Sequence, residues 1–157
     1  MQDIVEKLDI NQVPTLALFH PHKVAAELIE NPSPEKLSQT VETHNEFYQK
    51  WFEEEKKKAF REIEDLVTAQ PQFLMFIKGS PDQPKCKFTR KLLEMIAPKG
   101  YRFRHFDILK DERIRQWLKF YSNWPTFPQV FLEGKLVGGV DIVTDLIESG
   151  EFDEMVP

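Results

Sequence analysis

FLMFIKGSPDQPKCKFTRKLLEMI, residues 73–96, is the stretch that decides the fold. Phe73 to Ile77 is an unbroken apolar run, the pattern of a strand buried on both faces. Gly79, Pro81 and Pro84 then punctuate a loop. From Cys86 to Ile96, Phe88, Leu92, Leu93 and Ile96 recur at helical spacing, which predicts a helix with those side chains turned inward. Pro98-Lys-Gly100 ends it.

Downstream the alternation continues. Tyr101, Phe103, Phe106 and Ile108 mark a second strand. Asp111 to Tyr121 reads as a helix with Ile114, Trp117 and Leu118 inward. Trp124-Pro-Thr-Phe-Pro128 is a rigid turn. Gln129 to Leu132 and Lys135 to Val137 form a hairpin about Glu133-Gly134, and Asp141 is expected to cap a last helix through Ile142, Leu146 and Ile147. A βαβ unit followed by ββα predicts an α/β fold with a mixed four-stranded sheet and helices on both faces.

Upstream, Thr15 to Phe19 and Val24 to Ile29 read as a hairpin around His20-Pro-His-Lys. A helix over Glu35 to Thr43 follows, with Ser33 as its N-cap. Asn45 to Ala69 forms a second, longer helix, in which Glu53-Glu-Glu-Lys-Lys-Lys interrupts the apolar stripe and makes a solvated connector through i,i+4 pairs. Val13-Pro-Thr followed by strand, turn, strand and helix mirrors the order from Phe127-Pro128 onward, so residues 1–44 resemble a partial copy of the end of the main domain. The expected organisation is a partial segment over 1–44, a helical connector over 45–60 and the main domain over 61–157.

At 157 residues the chain has room for one domain and a fragment of another. No apolar run approaches the ~20 residues of a membrane span, and the amphipathic start shows no targeting segment, so a cytosolic location, with the nucleus also open, is expected. A net charge of −5 argues against general nucleic-acid affinity. Its distribution says more than its sum. Lys78, Lys85, Lys87, Arg90 and Lys91 surround Cys86 against Asp82 alone, whereas from Asp141 onward every charge is acidic.

Cys86 is the only cysteine, so no internal disulfide can form. Three features make it reactive. It lies at a strand-to-helix turn, where free backbone N–H groups favour a thiolate. Lys85 and Lys87 flank it, and thiols so placed have lowered pKa values. It precedes the first apolar position of the helix, so it stands at the exposed end. Cys86-Lys-Phe-Thr89 has Cys-x-x-Cys spacing but no second cysteine, so exchange requires an external thiol. His20-x-His22 lacks a third metal ligand, and Gly138-Gly139 is too short for a nucleotide loop.

Lys78-Gly-Ser-Pro81, Pro84-Lys-Cys86, Phe106-Asp-Ile-Leu109, Tyr121-Ser-Asn-Trp-Pro-Thr-Phe-Pro128 and Gly138-Gly-Val-Asp-Ile-Val143 occur in an order that resembles the monothiol glutaredoxins, whose motif is Cys-Gly-Phe-Ser. The resemblance covers Arg61 to about Phe152 and implies a thioredoxin-like fold. Residues 1–44 are similar to the second half of the thioredoxin domain that precedes glutaredoxin domains in multidomain members. The resemblance further implies glutathione as ligand, with Lys78 and Arg115 at its glycine carboxylate, backbone hydrogen bonds from Phe127 before a cis Pro128, and Val140 with Asp141 at its γ-glutamyl end. Trp124 reads as a packing residue. Family members hold a [2Fe–2S] cluster between two subunits. Such a site here would join two Cys86 and two glutathione sulfurs in a homodimer that serves iron–sulfur client proteins. Lys87 in place of Gly and Thr89 in place of Ser are the departures. Two alternatives stand beside cluster carriage or sensing: glutathione-dependent thiol–disulfide exchange, and a non-catalytic adaptor.

Overall fold

A computed structural model of the chain describes residues 7–12, 14–19 and 27–156. The chain divides into two compact units, Met1–Glu55 and Lys56–Pro157.

In the first unit, β1 (Thr15–Leu18) pairs antiparallel with β2 (Glu27–Glu30), with Leu16 opposite Ile29 and Ala17 opposite Leu28. Of the expected strand Val24 to Ile29, the described part is strand and runs one residue further, to Glu30, while Val24 to Ala26 lie outside the described residues. The expected turn, with His20 and His22, lies outside the described residues, as does Val13. Helix α1 (Pro34–Thr68) begins here, capped by Ser33, whose Oγ accepts from the Lys36 N–H at 3.2 Å. The two helices expected over Glu35 to Thr43 and Asn45 to Ala69 are one. No Gly or Pro stands between Glu35 and Thr68, so nothing in the backbone interrupts the i→i−4 ladder at His44.

In the second unit, β3 (Phe73–Ile77) is the central strand, and all of its residues are buried. Helix α2 (Lys87–Ile96) follows and runs into a 3-10 turn, Ala97–Lys99, closed by Gly100 in the left-handed conformation. Strand β4 (Arg104–Asp107) pairs parallel with β3, as the two strands of a βαβ unit do. Tyr101 and Phe103 precede this strand, and their rings pack on Phe73. Helix α3 (Glu112–Tyr121) is capped by Asp111, whose carboxylate accepts from the Ile114 N–H at 2.8 Å. Strands β5 (Gln129–Leu132) and β6 (Lys135–Gly138) form the hairpin; Glu133 and Gly134 both have positive φ, as a tight two-residue turn demands. Helix α4 (Val140–Ser149) and a short α5 (Glu151–Met155), which the sequence reading did not separate, complete the unit.

The sheet order is β4-β3-β5-β6, with β5 antiparallel to both neighbours. This is the mixed four-stranded sheet expected. One face of it packs on Leu92 and Ile96 of α2, Val140 and Val143 of α4 and Phe152 of α5. Ile63 and Val67 of α1 and Ile114 and Leu118 of α3 are also wholly buried. No basic residue occupies the last turn of α1; instead the Arg104 guanidinium bonds the carbonyls of Leu66, Ala69 and Pro71. Among the described residues no helix is long and apolar enough to cross a membrane.

Candidate functional site: a thiol at a helix end beside a groove

The β3–α2 loop closes on itself before it delivers the thiol. Gly79 and Pro84 form an antiparallel bridge, and the Lys85 N–H donates to the Lys78 carbonyl at 2.8 Å. Gly79 has φ +90°, and a Cβ there would lie 2.3 Å from the Gln83 carbonyl oxygen, so only glycine fits. The loop is tied to the sheet by Asp107, whose Oδ1 accepts from the Gly79 N–H at 2.8 Å and from the Leu109 N–H at 3.1 Å. The sequence showed Asp107 only as part of a motif, because its two partners come from different loops.

Cys86 is the N-cap of α2, with φ −145° and ψ 140°, and its carbonyl accepts from the Arg90 N–H at 3.0 Å. The residue is partly exposed. Partial burial pushes the thiol pKa up. The Thr89 and Phe88 amides and the charges of Lys78 and Lys87 outweigh that, and the pKa falls below its ordinary value. Sγ makes no capping hydrogen bond of standard geometry, so the amides act on it as oriented dipoles that favour the thiolate. Lys85, expected to contribute, is not among these influences. Lys78 takes that place from the far side of the loop.

The phase of α2 departs from expectation at its first turn. With Cys86 as cap, residues 89, 92 and 96 face the core, so Thr89 is wholly buried and Phe88 is 45% exposed. The buried Thr89 hydroxyl accepts the Lys78 N–H at 3.2 Å, which fastens the helix to the loop. Lys87 rests its ammonium 4.9 Å from the centre of the Phe88 ring.

Phe88 forms one wall of a groove of ≈ 380 Å³, lined further by Trp124, Thr126, Phe127, Pro128, Gly139, Val140, Asp141 and Ile142. The Phe127–Pro128 peptide is cis, as anticipated. The buried Gln129 fixes this turn, its Nε2 donating to the carbonyls of Trp124 at 2.9 Å and Thr126 at 3.1 Å. Asp141 is not the helix cap it was expected to be. Gly139, in extended conformation, caps α4 with its carbonyl accepting from Val143, which leaves Asp141 in the first turn, exposed at the groove. Extended backbone at Gly139 lets the helix begin one residue before the first acidic side chain.

Of the six residues singled out from sequence, Phe127, Val140 and Asp141 line the groove, and Lys78 lies close enough to Cys86 to act on its charge. Arg115 is not among the lining residues; on α3 it pairs with Glu112 at 2.9 Å. Trp124, read as packing, is a lining residue whose buried indole N–H has no hydrogen-bond partner among the described residues.

A thiol at the start of the helix after the first sheet strand, with a cis proline leading into the third, defines the thioredoxin-like class of protein. A family model described as glutaredoxin matches residues 73–137. Monothiol glutaredoxin-4 of Schizosaccharomyces pombe is 31% identical over 99% of this chain and 74% of its own length. Glutaredoxin-3 of Mus musculus is 34% identical over 99% of this chain, which spans 46% of that relative, about half. The solution structure of a monomeric truncated mutant of Trypanosoma brucei 1-C-Grx1 matches with TM-score 0.56 and 34% identity, over 61% of this chain and 86% of that one. The chain belongs to the monothiol glutaredoxin family.

Proposed function

We propose that the chain binds glutathione in the groove beside Cys86 and that two chains carry a [2Fe–2S] cluster as cargo. The observation that supports this reading is the single, partly exposed thiol, favoured as thiolate at the N-terminus of a helix whose Phe88 walls a peptide-sized groove.

The groove offers complementary chemistry to such a ligand. First-turn amides of α4 and the Asp141 carboxylate suit the carboxylate and ammonium of a γ-glutamyl end. In this reading the Phe127 backbone would pair with the central residue, and Lys78 with Arg115, once released from Glu112, would meet the glycine carboxylate. A cluster of this kind takes four thiolates. Cys86 fits that chemistry as one ligand, and among the described residues no three His, Cys, Asp or Glu side chains gather as a metal site within the chain. Two Cys86 and two glutathione sulfurs therefore make up the set.

Thiol exchange is the second reading, favoured by the action of Lys78 and Lys87 on the sulfur. In it the Cys86 thiolate attacks a glutathione mixed disulfide, takes up the glutathionyl group and releases the other thiol. Anaerobic reconstitution with iron, sulfide and glutathione separates the two. Visible absorbance with dimerisation, both lost in Cys86→Ser, is expected of the carrier. A colourless monomer that turns over glutathione mixed disulfides refutes cluster carriage and leaves exchange.

A further inference from the structure

The first turns of α2 carry cations that no carboxylate among the described residues neutralises. Lys87, Arg90 and Lys91 are exposed on the side of the helix opposite Thr89, Leu92 and Ile96, and Lys85 is exposed just ahead of Cys86. Among the described residues none of these four enters an ion pair. The first turn of α2 holds no acidic residue; Glu94 shares the stripe one turn beyond Arg90 and Lys91 and forms no ion pair with them. In a chain of net charge −5, unpaired cations gathered around the one thiol segregate charge at the reacting atom. Asp141 lines the groove, whereas Lys85, Lys87, Arg90 and Lys91 are not among its lining residues.

We infer that this face selects the protein whose sulfur exchanges with Cys86: a partner whose glutathionylated cysteine is flanked by Asp and Glu. The inference rests on the exchange reading above. In the step, the Cys86 thiolate forms a disulfide to the glutathionyl sulfur, the glutathionyl–partner S–S bond breaks, and the partner leaves as its thiolate. A second glutathione thiolate then attacks the glutathionyl sulfur on Cys86, releasing glutathione disulfide and the Cys86 thiolate, so electrons balance with glutathione as reductant. Acidic residues beside the partner cysteine meet Lys87, Arg90 and Lys91 while the glutathionyl group enters the groove. They also raise the encounter rate at low salt. Nucleic acid would meet the same charges but has no sulfur to exchange.

The test uses the full chain, reduced, and three glutathionylated peptides that differ only in flanking residues: acidic, serine or lysine. Release of peptide thiol is followed in a single turnover. The acidic peptide is expected to react about tenfold faster than the serine peptide at low salt. The gap should close in about 1 M salt, where the screening length is about 3 Å. Arg90→Gln/Lys91→Gln should lower the acidic preference severalfold and leave the rate on the serine peptide unchanged. Equal rates on all three peptides overturn the inference while leaving exchange intact. Release from none of them overturns exchange as well. A short DNA duplex that inhibits as strongly as a non-glutathionylated acidic peptide would show the face to be indifferent to protein, and would also overturn it.

Discussion

Thr89→Val replaces a hydroxyl by a methyl of nearly the same size, in a side chain that is wholly buried. It removes the acceptor of the Lys78 N–H, now bonded at 3.2 Å, and offers that amide nothing in return. A buried donor left unpaired costs about 1–3 kcal/mol. At an m-value of about 1–2 kcal/mol/M, the urea midpoint should fall by roughly 0.5–3 M. Thr89→Ser is the matched control: it keeps the hydroxyl and loses one buried methyl, which costs about 1 kcal/mol with its small cavity. Valine should therefore be the more damaging change although serine is the smaller residue. Both variants keep the Thr89 amide, so the pH midpoint of Cys86 alkylation should stay where it is in the parent. Equilibrium urea unfolding of the three proteins decides the matter. A valine variant as stable as the parent, or a serine variant less stable than valine, refutes the claim that this hydroxyl fastens loop to helix.

Other perturbations reach the same site from different sides. Because the Cys86 pKa lies below its ordinary value, alkylation should remain fast as pH falls through the usual thiol range and slow only below it. Lys87→Gln should move that midpoint upward, as iodoacetamide rates against pH will show. The sign for stability is the same: the ionised thiol favours the fold above its unfolded pKa, and that contribution disappears as pH falls through the depressed one. Asp107→Ala strips the acceptor shared by Gly79 and Leu109; the Leu109 N–H is exposed and can turn to water, so the loss falls on Gly79 and should cost about 1–3 kcal/mol and raise amide exchange there, measured by NMR. Asp111→Ala removes the cap of α3 and should cost about 1 kcal/mol in the same urea assay, with Cys86 reactivity unchanged.

The central strand was legible because residues 73–77 are apolar without exception, and the hairpin because Glu133-Gly134 accepts two positive φ values between apolar runs. What escaped lay at the first turns of two helices. A one-residue shift turns a helical side chain by about 100°. Thr89 stands one turn before Leu92 and Phe88 one turn before it by the other step, so both fit the apolar spacing, and the structure turns Thr89 to the core and Phe88 to the groove; at α4 the cap at Gly139 puts Asp141 in the first turn. Neither phase is written in apolar spacing, because Thr89 is polar and its partner, the Lys78 amide, is backbone. The continuity of α1 past His44 was hidden for the opposite reason. Its apolar stripe lapses, and only the lack of a breaking residue speaks for the helix.

That phase is what joins the fold to the chemistry. The same turn that buries Thr89 aims its amide, with that of Phe88, at the sulfur of Cys86, and the Thr89 hydroxyl accepts the N–H of Lys78, the cation that acts on the sulfur from across the loop. Polarity at the thiol is therefore supplied mainly by backbone fixed from below and by a lysine reached through the loop. Lys87, which with Thr89 departs from the family motif, adds to the field and rests over Phe88 at the groove wall. If the field came from Lys87 alone, neutralising it would return the thiol to its ordinary pKa. If the backbone dominates, Lys87→Gln moves the midpoint part of the way and Lys78→Gln/Lys87→Gln further, yet the thiol stays below the ordinary value. A full return in the single variant would show that the helix end contributes nothing.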